Sequence, residues 1–134
     1  MSRKIIRPLL QETYQSNPWK MLVCCILLNL CKRTTVDKVR EKLFKKYPSP
    51  EKMAKADDDY LIKLFNPLGF QKRRTNLIKK MSSQYIKGFD KVTELAGIGD
   101  YANDSWEIFQ NNNYNVKPTD KVLKEYLKLE WKKI

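Results

Sequence analysis

At 134 residues and 42% hydrophobic composition, the chain is long enough to bury one core and too short for two independent domains. Its 27 Lys and Arg against 15 Asp and Glu leave a formal charge of +12, an imbalance that points to a polyanionic partner: nucleic acid ahead of a ribosome-like assembly or a membrane surface. The absence of histidine excludes Ser-His, Cys-His and His-metal chemistry, and Cys24, Cys25 and Cys31, crowded into one apolar segment, fit neither a zinc pattern nor an easy disulfide. Buried thiols in a reduced compartment are therefore expected. Met1 to Lys20 carries no signal-peptide core, and no apolar run is long enough to span a bilayer.

The chain opens with a basic segment, Ser2 to Arg7, followed by Pro8, placed in the first turn of a short helix that carries Leu9 to Tyr14. Asn17-Pro18 is a cap with proline behind it. The nearly unbroken apolar run from Trp19 to Leu30 predicts a helix buried on all sides, the centre of the core. Val36, Val39, Leu43 and Phe44 recur at helical spacing as far as Tyr47-Pro48. Ser49-Pro50 starts a short helix reaching Ala56, and Asp57 caps another over Asp58 to Phe65, stopped by Asn66-Pro67. Leu68-Gly69-Phe70 is a turn with two large apolar groups. Gln71 to Ile86 predicts a long basic helix with Leu77, Ile78, Met81 and Tyr85 inward and Lys72, Arg73, Arg74, Lys79 and Lys80 outward. Gly88 ends it. A short helix over Lys91 to Leu95 and a second over Tyr101 to Phe109 flank Gly97-Ile98-Gly99, and a last helix starts near Thr119 and shows Leu123, Leu127 and Trp131 on one face. No β pattern and no repeat is present, so the expected fold class is all-α in a single domain.

Two stretches carry chemistry. Gly97-Ile98-Gly99 sits where backbone must turn tightly and approach a neighbour, and the free amides of such a turn and of the helix it opens hold a phosphate without any side chain. A plain helical hairpin explains the same residues. Beyond it, Asp120 in Pro118-Thr119-Asp120 is either a catalytic carboxylate or the cap of the last helix.

Pro18-Trp19-Lys20-Met21-Leu22, Tyr47-Pro48-Ser49, Pro67-Leu68-Gly69-Phe70, Gly97-Ile98-Gly99, Asn103-Asp104-Ser105 and Pro118-Thr119-Asp120 occur in one order. Together they resemble the helix-hairpin-helix/Gly-Pro-Asp DNA glycosylases, most of all the glycosylase domain of the methyl-CpG-binding thymine glycosylases, from Leu9 to Trp131. The resemblance implies a two-lobed helical fold with its cleft between the lobes. The implied activity is base-excision repair: hydrolysis of the N-glycosidic bond of thymine or uracil mispaired with guanine, after the nucleotide is flipped out.

Residue by residue, the resemblance makes Asp120 the catalytic carboxylate, stabilising an oxocarbenium-like sugar. Tyr101 stands where strand-cutting members place a lysine nucleophile. A phenol cannot form the Schiff base, so the implied enzyme is monofunctional, with Tyr101 lining the base pocket or simply packing in the core. Gln11 matches a pocket glutamine that offers a donor and an acceptor to a pyrimidine edge, against a plain exposed helix glutamine. Phe70 matches an intercalating wedge and would otherwise be a core residue. The backbone contacts implied are Gly97, Ile98 and Gly99 with Arg33, Arg73 and Arg74. Asp104, the competing carboxylate, is read as a structural hydrogen-bonding residue.

Three departures matter. Leu30 stands where relatives often carry arginine or glutamine reaching toward DNA, leaving Arg33 or Lys32 to substitute and recognition of the opposite guanine in question. Ala96 replaces a common proline, and Asp100 a common basic residue. No metal and no required cofactor is implied, since the four C-terminal cysteines of iron–sulfur members are missing; a monovalent cation at the hairpin carbonyls is the one candidate ion. The implied partner is double-stranded DNA with a mismatched or damaged pyrimidine, met by a monomer away from membranes. The implied location is intracellular, nuclear in a eukaryote and nucleoid-associated cytoplasm otherwise. The alternatives are a non-catalytic helix-hairpin-helix module and a glycosylase for adenine or alkylated purine.

Overall fold

The structure is a computed structural model that describes residues 6–131. Most of the basic opening segment, residues 2–5, lies outside the described residues, as does the side chain of Trp131. The described residues form eight α-helices: α1 Leu10–Thr13, α2 Pro18–Leu28, α3 Arg33–Lys46, α4 Pro50–Ala54, α5 Asp58–Leu64, α6 Gln71–Lys87, α7 Asp100–Phe109 and α8 Lys121–Trp131. Two 3-10 turns, Asn66–Leu68 and Val92–Glu94, interrupt them, and no strand occurs among the described residues. The all-α expectation holds.

The cap signals lie where the starts are. Asn17 Oδ1 accepts from the Lys20 amide at 3.2 Å, Ser49 Oγ from Lys52 at 3.3 Å and Asp57 Oδ2 from Tyr60 at 3.1 Å, each satisfying an amide the helix cannot. Other boundaries shift. Helix α1 begins at Leu10, so Pro8 lies ahead of it rather than in its first turn, and Arg7-Pro8 is a cis peptide bond. The helix expected over Lys91 to Leu95 is only the second 3-10 turn.

Helix α2 is the axle. Trp19 and Met21 to Leu27 are all buried on it, and it packs against α1, α3, α6 and α7. Each large apolar side chain so buried contributes about 1.5–3 kcal/mol, which explains why the most uniformly apolar stretch takes the centre. The lone polar atom of Trp19 is also satisfied: Nε1 donates to Ser82 Oγ at 3.0 Å, and that hydroxyl donates to the Ile78 carbonyl at 2.7 Å. The helix ends earlier than the apolar run suggests. Asn29 and Leu30 fall outside it, and Leu30 is 80% exposed with φ 59°.

Helix α6 lies across α2, α4 and α5. One expectation for it fails: Arg74 is 4% exposed and points inward, into the seam between α2 and the Leu68-Gly69 turn. Its position explains this, because residues 74, 78, 81 and 85 share the face that α6 buries. The hairpin seats directly on α2. Gly97 adopts φ 77°, and a Cβ there would stand 3.2 Å from the Ile26 side chain, so both backbone conformation and close approach demand glycine. Reciprocal amide bonds, from Gln15 Nε2 to the Phe109 carbonyl at 2.9 Å and from Gln110 Nε2 to the Gln15 carbonyl at 3.0 Å, fasten α1 against the end of α7.

Candidate active site

Fastening α1 to α7 brings Gln11 and Tyr101 face to face. Gln11 is 2% exposed, so it is not the exposed helix glutamine of the alternative reading. Its Nε2 donates to the Tyr101 phenol at 2.7 Å and to Ser105 Oγ at 3.1 Å, while the Ser105 hydroxyl donates to the Tyr101 carbonyl at 2.9 Å. Both amide hydrogens of Gln11 are thereby engaged, leaving Oε1 as the group with capacity for a ligand. The Tyr101 oxygen accepts from Gln11 and keeps its own proton to donate. Ser105 closes this network, a role the sequence did not reveal although Asn103-Asp104-Ser105 contributed to the resemblance.

Gln11 and Tyr101 open onto a cleft of ≈ 480 Å³. Leu9, Leu10 and Gln11 line it from α1, Leu28 to Thr34 from the end of α2 through the start of α3, Tyr101 from α7, and Asp120 and Val122 from the entry to α8. Asp120 serves two purposes at once. Its Oδ2 accepts from the Leu123 amide at 2.9 Å, capping α8, and the carboxylate also faces the cleft. The capping and catalytic readings are thus compatible: the cap fixes the carboxylate's orientation.

The electrostatics converge on the same place. Burial pushes the Tyr101 phenol far above its ordinary range, with the nearby Cys25 and Asp120 pushing the same way against the Gln11 hydrogen bond, so the phenol is neutral and a donor at physiological pH. Burial likewise pushes the Cys25 thiol up to about 12, which makes it an inert wall rather than a nucleophile. Asp104 is raised by burial first, then by Asp100, Asp120 and Glu107. Its side chain makes no hydrogen bond among the described residues, so its expected role as a structural hydrogen-bonding residue is corrected: it is a carboxylate crowded by other acids.

The remaining expected DNA contacts divide. Phe70 is 63% exposed with φ 47°, in the left-handed region that side chains disfavour, and so is not a core residue. Arg73 is exposed on α6. Gly97 and Gly99 are exposed, and the first amides of α7, at Asp100, Tyr101 and Ala102, find no acceptor among the described residues, whereas the Ile98 side chain is buried. Arg33 lines the cleft with its guanidinium already occupied: Nε donates to Asp37 at 2.9 Å and Nη1 to the Pro8 carbonyl at 2.8 Å. Arg74 is withdrawn from DNA altogether, because its guanidinium donates to backbone carbonyls inside the protein. Lys32, exposed at the cleft, is the cation the sequence weighed less. Among the described residues no cluster of His, Cys, Asp or Glu suits a metal ion, and no helix is long and apolar enough to cross a membrane.

Comparison with known proteins bears on this arrangement. The family model for HhH-GPD superfamily base excision DNA repair proteins matches residues 23–130. A methyl-CpG-binding domain protein 4-like protein of Arabidopsis thaliana is 36% identical over 129 residues, which are 92% of this chain and 29% of that protein. A thymine/uracil-DNA glycosylase of Pyrobaculum aerophilum is 33% identical over 97 residues, 64% of this chain and 41% of its own length. A thymine-DNA glycosylase of Aeropyrum pernix is 32% identical over 94 residues, 64% of this chain and 42% of its own. The matched stretch therefore spans well under half of each of these relatives.

Proposed function

The chain belongs to the HhH-GPD superfamily of base excision DNA repair proteins, and from that premise we propose that it is a monofunctional DNA glycosylase hydrolysing the N-glycosidic bond of thymine or uracil mispaired with guanine. The observation that carries this reading is the convergence of Gln11, Tyr101 and Asp120 on one cleft. A free acceptor at Gln11 Oε1 and a free donor at the Tyr101 hydroxyl match an imide edge, where an N–H lies beside a carbonyl oxygen. Cytosine presents the opposite pattern, an acceptor ring nitrogen beside an amino donor, and is disfavoured. Asp120 faces the sugar of the flipped nucleotide. As the C1′–N bond breaks, its negative charge stabilises the cationic sugar and orients the water whose oxygen bonds to C1′; the base leaves with the bonding electrons and takes up the proton that the water gives up.

The neutral phenol at Tyr101 cannot form a Schiff base, so the reaction stops at the abasic site. DNA is gripped by the Gly97-Ile98-Gly99 turn with the amides that open α7 and by Arg73, and Phe70 fills the gap left by the flipped base. We assign the protein no required cofactor, the hairpin carbonyls being the place for a monovalent cation if one binds, and expect a monomer working on DNA inside the cell. The test is single-turnover incubation with duplexes bearing one G·T, G·U, A·U or A·8-oxoguanine pair, followed by hot alkali. Alkali-dependent cleavage at G·T and G·U, with no adduct trapped by borohydride, is the expected result. Binding without base release would leave a helix-hairpin-helix DNA-binding module, and release from the 8-oxoguanine pair would leave an adenine glycosylase.

A further inference from the structure

Three residues with a side chain other than glycine have positive φ among the described residues: Leu30, Phe70 and Asn112. Asparagine tolerates the left-handed region; leucine and phenylalanine do so poorly. Leu30 and Phe70 are also the two most exposed large apolar residues among the described residues, at 80% and 63%. They lie forty positions apart in sequence. Arg74 joins them. Its Nη2 donates to the Asn29 carbonyl at 2.8 Å and its Nε to the Gly69 carbonyl at 2.8 Å, and these two carbonyls belong to the peptide groups that lead into Leu30 and Phe70. The same guanidinium reaches the Ile26 carbonyl at 3.0 Å and Cys31 Sγ at 3.1 Å, and that thiol donates to the Leu68 carbonyl at 3.2 Å.

A buried arginine normally needs a carboxylate, because an uncompensated charge is expensive in a low-dielectric interior. Among the described residues Arg74 pairs with none, and its neutralisation comes from carbonyl dipoles, including those at the C-terminal, negative end of α2. An apolar residue would fill the space at lower desolvation cost. What an apolar residue cannot do is hold two separate turns by their carbonyls in fixed relation.

We infer that Arg74 is a positioning residue for opening the duplex: one buried guanidinium locks the Leu30 turn, which lines the cleft, and the Phe70 turn into a single two-pronged unit. The inference rests on the glycosylase reading for its substrate, and on the geometry for its mechanism. Apolar groups held in a strained, exposed arrangement find their contacts between unstacked base steps, and a wedge works only if it does not fold back when pushed. Arg74 acts through these two residues and touches neither DNA nor the base.

The test compares Arg74→Lys and Arg74→Met with Phe70→Ala and with the Arg74→Lys/Phe70→Ala double variant. The readouts are single-turnover uracil release from a G·U duplex, the same release from single-stranded DNA, fluorescence of a 2-aminopurine placed beside the target, and the melting temperature. If Arg74 works through the prongs, Arg74→Lys lowers duplex release and the 2-aminopurine signal about tenfold, lowers single-strand release no more than about twofold, and adds less than about twofold to Phe70→Ala. Equal loss on both substrates, losses that multiply in the double variant, or failure of both Arg74 variants to fold each assign Arg74 to stability alone and overturn the inference. No base release by the unaltered protein on any substrate overturns the glycosylase reading instead. The 2-aminopurine signal then still decides the role of Arg74.

Discussion

The proposed base pocket and the pair of turns at Leu30 and Phe70 are built of opposite materials. In the pocket, Gln11 and Ser105 are buried and bonded to half-buried Tyr101, and half-buried Asp120 is held by the Leu123 amide. In the two turns, Leu30 and Phe70 are apolar, exposed and strained, and the polar group that supports them, Arg74, is buried. The pocket is a template whose remaining donor and acceptor are what a ligand must match. On the reading proposed above, the two turns are a lever that works against something that shields their apolar side chains from water. A closed network of this kind gives discrimination, while a rigid apolar edge gives work on the duplex without reading its sequence.

The sharpest break in this comparison is Asp120→Asn. Asparagine caps a helix about as well as aspartate, so the melting temperature should hardly move and DNA binding should survive. Loss of the charge should slow base release roughly a hundredfold to a thousandfold in single-turnover assays, equally on duplex and single strand. Near-normal release by the folded variant would remove Asp120 from the chemistry. Next comes Phe70→Ala, which deletes stacking worth about 1–3 kcal/mol and so should slow duplex release roughly 5- to 150-fold, with a smaller effect on single-stranded uracil DNA. Because Phe70 is 63% exposed, its removal should leave thermal stability nearly intact; unfolding of the variant would return the residue to the core.

Tyr101→Phe probes the other side. It removes one neutral donor and should slow release by about 2- to 15-fold, this time to the same extent on duplex and single strand. A duplex-selective defect would erase the distinction between template and lever. The smallest effect belongs to Asp104. Its carboxyl is raised by burial and by Asp100, Asp120 and Glu107, so in the folded protein the charged form is disfavoured. Stability from a group raised in this way is fully present below its unfolded value and is lost as pH rises through the folded one. Asp104→Asn should therefore stabilise the protein at pH 7, by under about 1 kcal/mol at this partly exposed position, and the gain should vanish on titration below the ordinary carboxylate range. Thermal melts at the two pH values check it, and a destabilised variant at pH 7 would contradict the assignment.

What could be read in advance followed the physics that sequence records locally. Caps at Asn17, Ser49 and Asp57 marked the starts of α2, α4 and α5, and the apolar density of α2 marked the core, since both depend on near neighbours in the chain. Arg74 was misplaced because the charged run Lys72 to Arg74 outweighed helical phase: residue 74 falls on the same face as Ile78 and Met81, a signal present in the spacing and overruled by residue type. The burial of Gln11 was not legible, because a four-residue helix has too little length to show a period and its partners are about ninety positions away. The left-handed turns at Leu30 and Phe70 have no local signature either. Nothing in a leucine announces positive φ, and only a long-range grip such as that of Arg74 makes it persist.

The seating of the hairpin on α2 has an evolutionary consequence. Position 97 is closed twice, by its φ of 77° and by the Ile26 side chain 3.2 Å from where a Cβ would stand. A smaller residue at position 26 would relieve the second restriction and leave the first untouched. In a lineage of such proteins the glycine is therefore the fixed member of the pair and position 26 the adjustable one. The volume at position 26 therefore bears on how the hairpin turn seats against α2, the helix whose last residue, Leu28, lines the cleft.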